Sequence, residues 1–280
     1  MRRRDILRGA AGLGCGTALA IGIDAVAVTP NRLAVSRHFF GPAQAGRRVR
    51  IAHISDLHIQ AFAGIHRQLL EAVVASAPDL LVITGDSIDA PQGLAPLEQF
   101  LASCPPVPRR LAILGNWEYK AGVDQAAFRH LHEEYSFALL VNESVSLEFA
   151  VGDARQPTTL RVTGLDDLQC GRADAAGALA GRSPCDHHLI LAHCPAQRDD
   201  LGLPADHPAD LVLSGHTHGG QVTAAGMALV TPPGSGRYVA GWYRDAGRPP
   251  LFVSRGVGMS TFPVRLGATP ELAIIDWMLG

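Results

Sequence analysis

Lysine is almost absent from this chain: of 24 basic residues, Lys120 is the only one that is not arginine. The acidic residues offset them to a net charge of −2. That balance lacks the positive footprint of a nucleic-acid binder, so no nucleic-acid partner is expected. Cysteine is also scarce. Cys15, Cys104, Cys170, Cys185 and Cys194 include no Cys-x-x-Cys pair, which argues against a zinc–thiolate site. A Cys170–Cys185 bridge and separate buried thiols both stay open. Internal repeats are missing, and low complexity is confined to the N-terminus. With 280 residues, 47% of them hydrophobic, the chain can bury one large core, and a single monomeric domain is expected.

Residues 1–28 stand apart. Three arginines lead into an apolar, Gly/Ala-rich stretch, the order of a charged region followed by a hydrophobic one. Arg3-Arg4-Asp5-Ile6-Leu7-Arg8 resembles a twin-arginine export signal. Ala18-Leu19-Ala20 and Ala25-Val26-Ala27 both have small-x-small cleavage spacing. The alternative is an uncleaved membrane anchor, although Asp24 and the glycines make a poor span. Either way the domain is expected outside, in the periplasm or on the outer face of the cytoplasmic membrane. Residues 29–47 read as a linker with a leading strand, and 48–280 as the folded domain.

Within that domain, strand and helix alternate through the first half. Strands are expected at 48–55, 79–84 and 110–114, with helices at 65–76, 94–102 and 123–133. The second half brings strands at 137–140, 144–150, 158–163, 188–192, 210–213, 251–254 and 271–275, with one short helix at 174–179. Nearly continuous apolar strands such as Asp79–Thr84 imply a buried, mainly parallel sheet. An α/β sandwich of two sheets flanked by helices fits both halves.

Five polar clusters punctuate these strands: Asp56-Leu57-His58; Gly85-Asp86-Ser87-Ile88-Asp89; Gly115-Asn116; His193; and Gly215-His216-Thr217-His218-Gly219. Four of them directly follow an apolar strand, and His193 stands just beyond another. In open α/β sheets that edge is where ligands bind, so one site built from five loops is expected. Carboxylates, imidazoles and one amide oxygen suit divalent Mn, Fe or Zn. Seven candidate ligands are too many for one ion and suit two ions sharing a carboxylate.

Taken together, these clusters resemble the calcineurin-like metallophosphoesterase superfamily, whose motifs D-x-H, G-D-x-x-D, G-N-H-[DE], H and G-H-x-H occur in that order. The likeness runs from about residue 48 to the C-terminus. "SDLH", "GHTHGGQ" and "VSRGVG" are also similar to the exported bacterial subgroup with twin-arginine signals. The resemblance implies a four-layer αββα sandwich with two mixed sheets and a dinuclear site at the C-terminal strand edges. It implies one metal held by Asp56, His58, Asp86 and His218, and a second held by Asp86, Asn116, His193 and His216. A metal-bridging hydroxide would be the nucleophile, and a small phosphorylated substrate, lipid-linked or not, would be its target.

Trp117 departs from the pattern, which has His there. That His, often paired with the second Asp of G-D-x-x-D, here Asp89, is thought to protonate the leaving oxygen. Indole carries one N–H and cannot deliver a proton in this range. Three readings follow. The leaving group needs no acid, which favours aryl esters or pyrophosphates. Or His187, His188 or Arg255 supplies the proton. Or Trp117 packs against the following "YKAG" segment and water serves. Arg255, Arg265 and Tyr238 are candidate substrate contacts. Asp166 and Asp167 read as solvated loop acids, and His38, His130, His132 and His207 as surface residues. Two other functions stay open: a catalytically weak member that binds phosphorylated envelope ligands, and a membrane-lipid pyrophosphatase.

Overall fold

The structure, a computed structural model, describes residues 22–42, 47–150 and 157–279. The export motif at Arg3–Arg8 and the Ala18–Ala20 cleavage candidate lie outside the described residues. Among the described residues no helix is long and apolar enough to cross a membrane.

The first sheet begins with β1 (Ala34–Phe40), β2 (Arg47–Ile54), β3 (Leu80–Thr84), β4 (Arg109–Ile113) and the short β5 (Ala138–Leu139). A second sheet follows with β6 (Glu143–Phe149), β7 (Thr158–Gly164), β8 (His187–Leu191) and β9 (Leu211–Ser214). A small hairpin, β10 (Thr223–Ala224) and β11 (Met227–Ala228), precedes β12 (Gly241–Tyr243) and β13 (Leu251–Val253). The last strand, β14 (Glu271–Leu279), returns to the first sheet.

The sheet orders are β1-β14-β2-β3-β4-β5 and β12-β13-β9-β8-β7-β6. Both are mixed. β14 runs antiparallel to β2 but parallel to β1, while β2, β3, β4 and β5 are parallel. In the second sheet β13, β9, β8 and β7 are parallel, with antiparallel edges at β12 and β6.

Alternation sorts the apolar side chains into layers. Leu80 and Val82 of β3 face the second sheet and pack with Leu189, Leu191, Leu211 and Leu213. Leu81 and Ile83 point the other way, into three helices: α1 (Gly64–Ser76), α2 (Leu94–Ala102) and, beyond the short α3 (Asn116–Lys120), α4 (Gln125–Glu134). In α1 the apolar face is Ile65, Leu69, Leu70 and Val73. His66 accepts the Ala63 N–H at its start, and Ala77, with φ 45°, turns the chain at its end before Pro78. The outer face of the second sheet is covered more thinly. Ile190, Val212 and Val253 pack with Tyr238 and with α5 (Ala175–Leu179), beside a 3₁₀ turn at Pro195–Asp199.

The four layers are therefore present, with a full helical layer on one side only. The leading strand expected before residue 47 is β1, hydrogen-bonded along β14. Cys104, Cys170, Cys185 and Cys194 are free thiols, so the Cys170–Cys185 bridge is not formed. His132 and His207, expected at the surface, are buried. His132 donates from Nδ1 to the Phe128 carbonyl inside α4, 2.8 Å away. A helix-period reading cannot see the aromatic pocket of Phe128 and Phe137 that encloses that ring.

Candidate metal centre

The C-terminal ends of β2, β3, β4, β8 and β9 converge on one edge of the sandwich. The loops after β2 and β3 run side by side there: the Asp56 N–H donates to the Gly85 carbonyl (3.1 Å) and the His58 N–H to the Asp86 carbonyl (3.0 Å). Asp56, His58, Asp86, His216 and His218 all have positive φ, between 42° and 71°. A left-handed backbone costs such residues roughly 1–2 kcal/mol each, so five of the seven expected ligands are held against their local preference. The carboxylates also pack directly on glycine backbone. A Cβ on Gly115 would run into Asp86, and one on Gly215 into Ser55 and Asp56.

The donor atoms fall into two groups, each within 4.8 Å: Asp56, His58 and His218; and Asp86, His193 and His216. Asn116 joins the second, its Oδ1 lying 3.2 Å from His193 Nε2. Asp86 stands between the groups, with Oδ2 3.1 Å from His193 Nε2 and 3.7 Å from His58 Nε2. All seven residues are buried.

Their hydrogen bonds decide whether this set fits cations. His193 Nδ1 donates to the Thr84 carbonyl (2.7 Å), and His216 Nε2 donates to the Pro233 carbonyl (2.6 Å). In the neutral rings the opposite nitrogens are then bare, and these face each other at 3.1 Å. His58 Nδ1 is bonded to the Asp89 carboxylate, leaving its Nε2 bare and 3.1 Å from His218 Nε2. The lone pairs of His193 and His216, facing beside buried carboxylates, repel unless positive charge lies between them, while His218 has the Arg265 guanidinium 3.3 Å from its outer nitrogen, Nδ1. Burial opposes a proton on His193, but Asp86 outweighs it and lifts that pKa to about 10. Burial and the neighbouring His193 push His216 down to about 4. The site therefore draws positive charge to its centre, and the nitrogen-and-oxygen donor set fits two divalent ions sharing Asp86.

Other residues brace these ligands. Glu118, at the [DE] position of the G-N-H-[DE] motif, is buried and accepts backbone N–H groups from Asp86 (3.1 Å), Ser87 (2.5 Å) and Gly115 (2.8 Å). It ties the loop after β3 to that after β4. Burial and the Asp86 charge raise its pKa to about 7. Asp89 acts through His58, and Gln60 donates to its other oxygen at 3.1 Å. Asp166 and Asp167 are buried rather than solvated. They cap the 165–172 loop, Asp167 accepting the N–H groups of Gln169 (2.8 Å) and Cys170 (2.6 Å). That loop carries Gln169 to within 3.1 Å of His216 Nε2, a contact the sequence reading missed.

Trp117 donates its backbone N–H to Asp86 Oδ1 (2.8 Å), and its ring meets His58 edge-on. Lys120 lies 4.9 Å over the indole, and both line a cavity of about 550 Å³ with Asp86, Asn116, His216 and His218 at its floor. The three alternative proton donors are placed otherwise. His187 and His188 open β8, roughly 16–20 Å of extended chain before His193. Arg255 is paired with Glu271 at 3.1 Å. Arg265 is fully buried, its guanidinium spent on the carbonyls of Arg255, Gly258 and Ala268, which makes it a support beneath His218 rather than a substrate contact. Tyr238 is buried as well, bonded to Asp199 and Arg198.

Residues 49–220 match the family model described as calcineurin-like phosphoesterase. Among similar proteins, the uncharacterized metallophosphoesterase YkuE of Bacillus subtilis (strain 168) is 32% identical over 234 residues, covering 80% of this chain and 77% of that protein. The phosphodiesterase YaeI of Escherichia coli (strain K12) is 28% identical over 242 residues, covering 81% of each. In structure, the sulfate thiohydrolase SoxB of Thermus thermophilus, solved with glycerol, aligns at a TM-score of 0.51 and 14% identity, covering 85% of this chain and 58% of that one. That likeness speaks to the fold alone.

Proposed function

The chain belongs to the calcineurin-like phosphoesterase family, metal-dependent hydrolases with a dinuclear site, and from that premise we propose that it hydrolyses phosphodiesters or pyrophosphates whose leaving group needs no proton. The observation that carries this reading is the pair of facing ring nitrogens on either side of Asp86, beside a tryptophan where an acid would stand.

Asp56, His58, Asp86 and His218 would hold one ion, and Asp86, Asn116, His193 and His216 the other. When bound, such ions activate water at neutral pH and neutralise phosphate charge. The protein's part is to orient the ligand nitrogens toward the ions. The Thr84 and Pro233 carbonyls fix two tautomers, and Asp89 fixes a third. Asn116 adds a neutral oxygen, which limits negative charge where an anionic substrate must approach.

At position 117 the indole orients and excludes water but transfers no proton. General acid catalysis contributes ~10²–10⁴-fold, so alkoxide leaving groups should be slow by about that factor. Phenolates and phosphates leave without help. Export by the twin-arginine route, with action in the periplasm or on the outer face of the cytoplasmic membrane, is part of the same proposal. The Arg3-Arg4 motif and the apolar stretch after it support that placement.

The test is hydrolysis of bis-p-nitrophenyl phosphate by the full chain with Mn²⁺, beside Asp86→Asn. Turnover that disappears in the variant is expected. No turnover with metal demonstrably bound would favour the ligand-binding alternative instead. A glycerophosphodiester supplies the contrast in leaving group. Comparable kcat/KM on both substrates would defeat the role given to Trp117, and Trp117→His should raise the alkyl rate selectively.

A further inference from the structure

The cavity above the metal ligands has a polar floor and an apolar wall. One side is built by Val222, Leu229, Val230, Pro232 and Pro233, and the other by Phe262. Leu229 is 62% exposed, Val230 76% and Phe262 67%, and among the described residues no segment covers them. Isolated apolar residues at a surface need no explanation, but these face one another across a cavity that ends on Asp86, Asn116, His216 and His218.

Both walls are pinned rather than loose. The Gln221 side chain donates to the carbonyls of Ser260 (3.0 Å) and Phe262 (2.9 Å) and accepts the Ser260 N–H (3.0 Å). Thr261 between them has φ 65°, a strained conformation for a β-branched residue. Opposite, Leu229 donates its N–H to the Val222 carbonyl (3.2 Å), and the Ala228 methyl packs on Gly220, beside the His218 turn. Held apolar side chains with nothing upon them form a preorganised cleft. At its inner end stand Trp117 and Lys120, the only lysine of the chain, whose charge is matched to a phosphate.

We propose that the cleft between residues 229–233 and Phe262 is a subsite for the alkyl or acyl chain of the phosphoester hydrolysed at the metal centre. The inference rests on the hydrolase reading above and adds the substrate class. The chain belongs to the alcohol that stays on phosphorus; the leaving group is a separate requirement, set near Trp117.

The test uses p-nitrophenyl diesters whose second alcohol is methyl, butyl or octyl. The leaving phenol is common, so only the retained chain varies. Complete burial of a methylene corresponds to about fourfold in kcat/KM, and the open cleft should deliver less, roughly 30-fold in all from methyl to octyl. In Val230→Asn and Phe262→Ser, both changed at exposed positions, the octyl-to-methyl ratio should fall toward one. A flat series in the unaltered protein, or a ratio unaffected in both variants, overturns the subsite. Binding gives a second readout: octyl phosphate should perturb Trp117 emission at a concentration at least tenfold below methyl phosphate, and equal affinity overturns the proposal. Turnover without chain preference removes the subsite alone. Chain-dependent binding with no turnover of any diester removes the hydrolase reading and leaves an alkyl-phosphate binding cleft.

Discussion

Asp56, His58 and His218 form one half of the metal centre, and Asp86, Asn116, His193 and His216 the other. The donor types are nearly the same, but the bracing differs. In the first half His58 is backed by a carboxylate, Asp89, and the Asp56 oxygens accept the His216 N–H at 2.9 and 3.0 Å. In the second, both imidazoles are backed by neutral carbonyls, Thr84 and Pro233, and the third ligand is an amide. A carboxylate behind an imidazole raises its basicity more than a carbonyl does. The first half is therefore the less evenly braced: His58 gains basicity from Asp89, while His218 has the Arg265 guanidinium 3.3 Å from its Nδ1. Three members of the second, Asp86, Asn116 and His216, line the open cavity, where substrate must enter.

The largest effect should come from removing the residue the halves share. Asp86→Asn takes away charge from both, and losing several kcal/mol of charge stabilisation predicts a fall in kcat/KM of roughly a thousandfold. Metal analysis of the purified variant should find fewer than two ions per chain; two retained ions would break the assignment of Asp86 as the bridge.

Asp89→Asn separates the halves. It removes the charged brace from His58 only, and loss of such a partner typically costs 10–100-fold in metal affinity. A metal titration should show one site weakened by about that factor and the other unchanged, while Asn116→Ala should weaken the opposite site. If both variants weaken the same ion, the two halves are not independent.

Glu118→Gln probes the strap between the loops after β3 and β4. Glutamine offers one oxygen where three N–H groups are now accepted, and leaving buried donors unpaired costs about 1–3 kcal/mol. A drop of several degrees in Tm is expected, accompanied by weaker binding in the second half. An unchanged melt would show that the three N–H groups find other acceptors.

The smallest effect serves as a control away from the centre. Burial lowers the His132 pKa to about 4 in the fold, against about 6.5 in an unfolded chain. Between those values only the unfolded state takes up the proton, so stability is lost as pH falls from 6.5 toward 4, by about 2 kcal/mol at pH 5. In His132→Gln that part of the acid loss should vanish in urea titrations at pH 7 and pH 5, with metal binding unaltered.

Much of this was legible in one dimension. Each motif residue follows an apolar run, and apolar runs of strand length mark where a buried sheet ends. Asp79–Thr84 and its successors therefore located the site's edge before any contact was known. What sequence could not supply was burial of polar groups by distant partners. Asp166 and Asp167 look like solvated acids until the loop they cap is seen closing on Gln169. Arg265 looks like a phosphate contact until three carbonyls are found around it. Glu118 had one usable signal, an acid in the first turn of a short helix two residues after a ligand amide, but nothing local says that two of its three partners are backbone groups of another loop.

The strands that lead into the five ligand loops and the seven ligand types could be read in one dimension, because they follow from local hydrophobic pattern and from which side chains carry lone pairs; the short strands β10, β11 and β12 could not. Tertiary structure decided where the lone pairs point. His193 is oriented by the carbonyl of Thr84, 109 residues earlier in the chain, and the left-handed turns at Asp56 and Asp86 persist only because packed neighbours hold them. The apolar cleft was decided there too, since Phe262 and Val230 become facing walls only when both are fastened around Gln221 and the His218 turn.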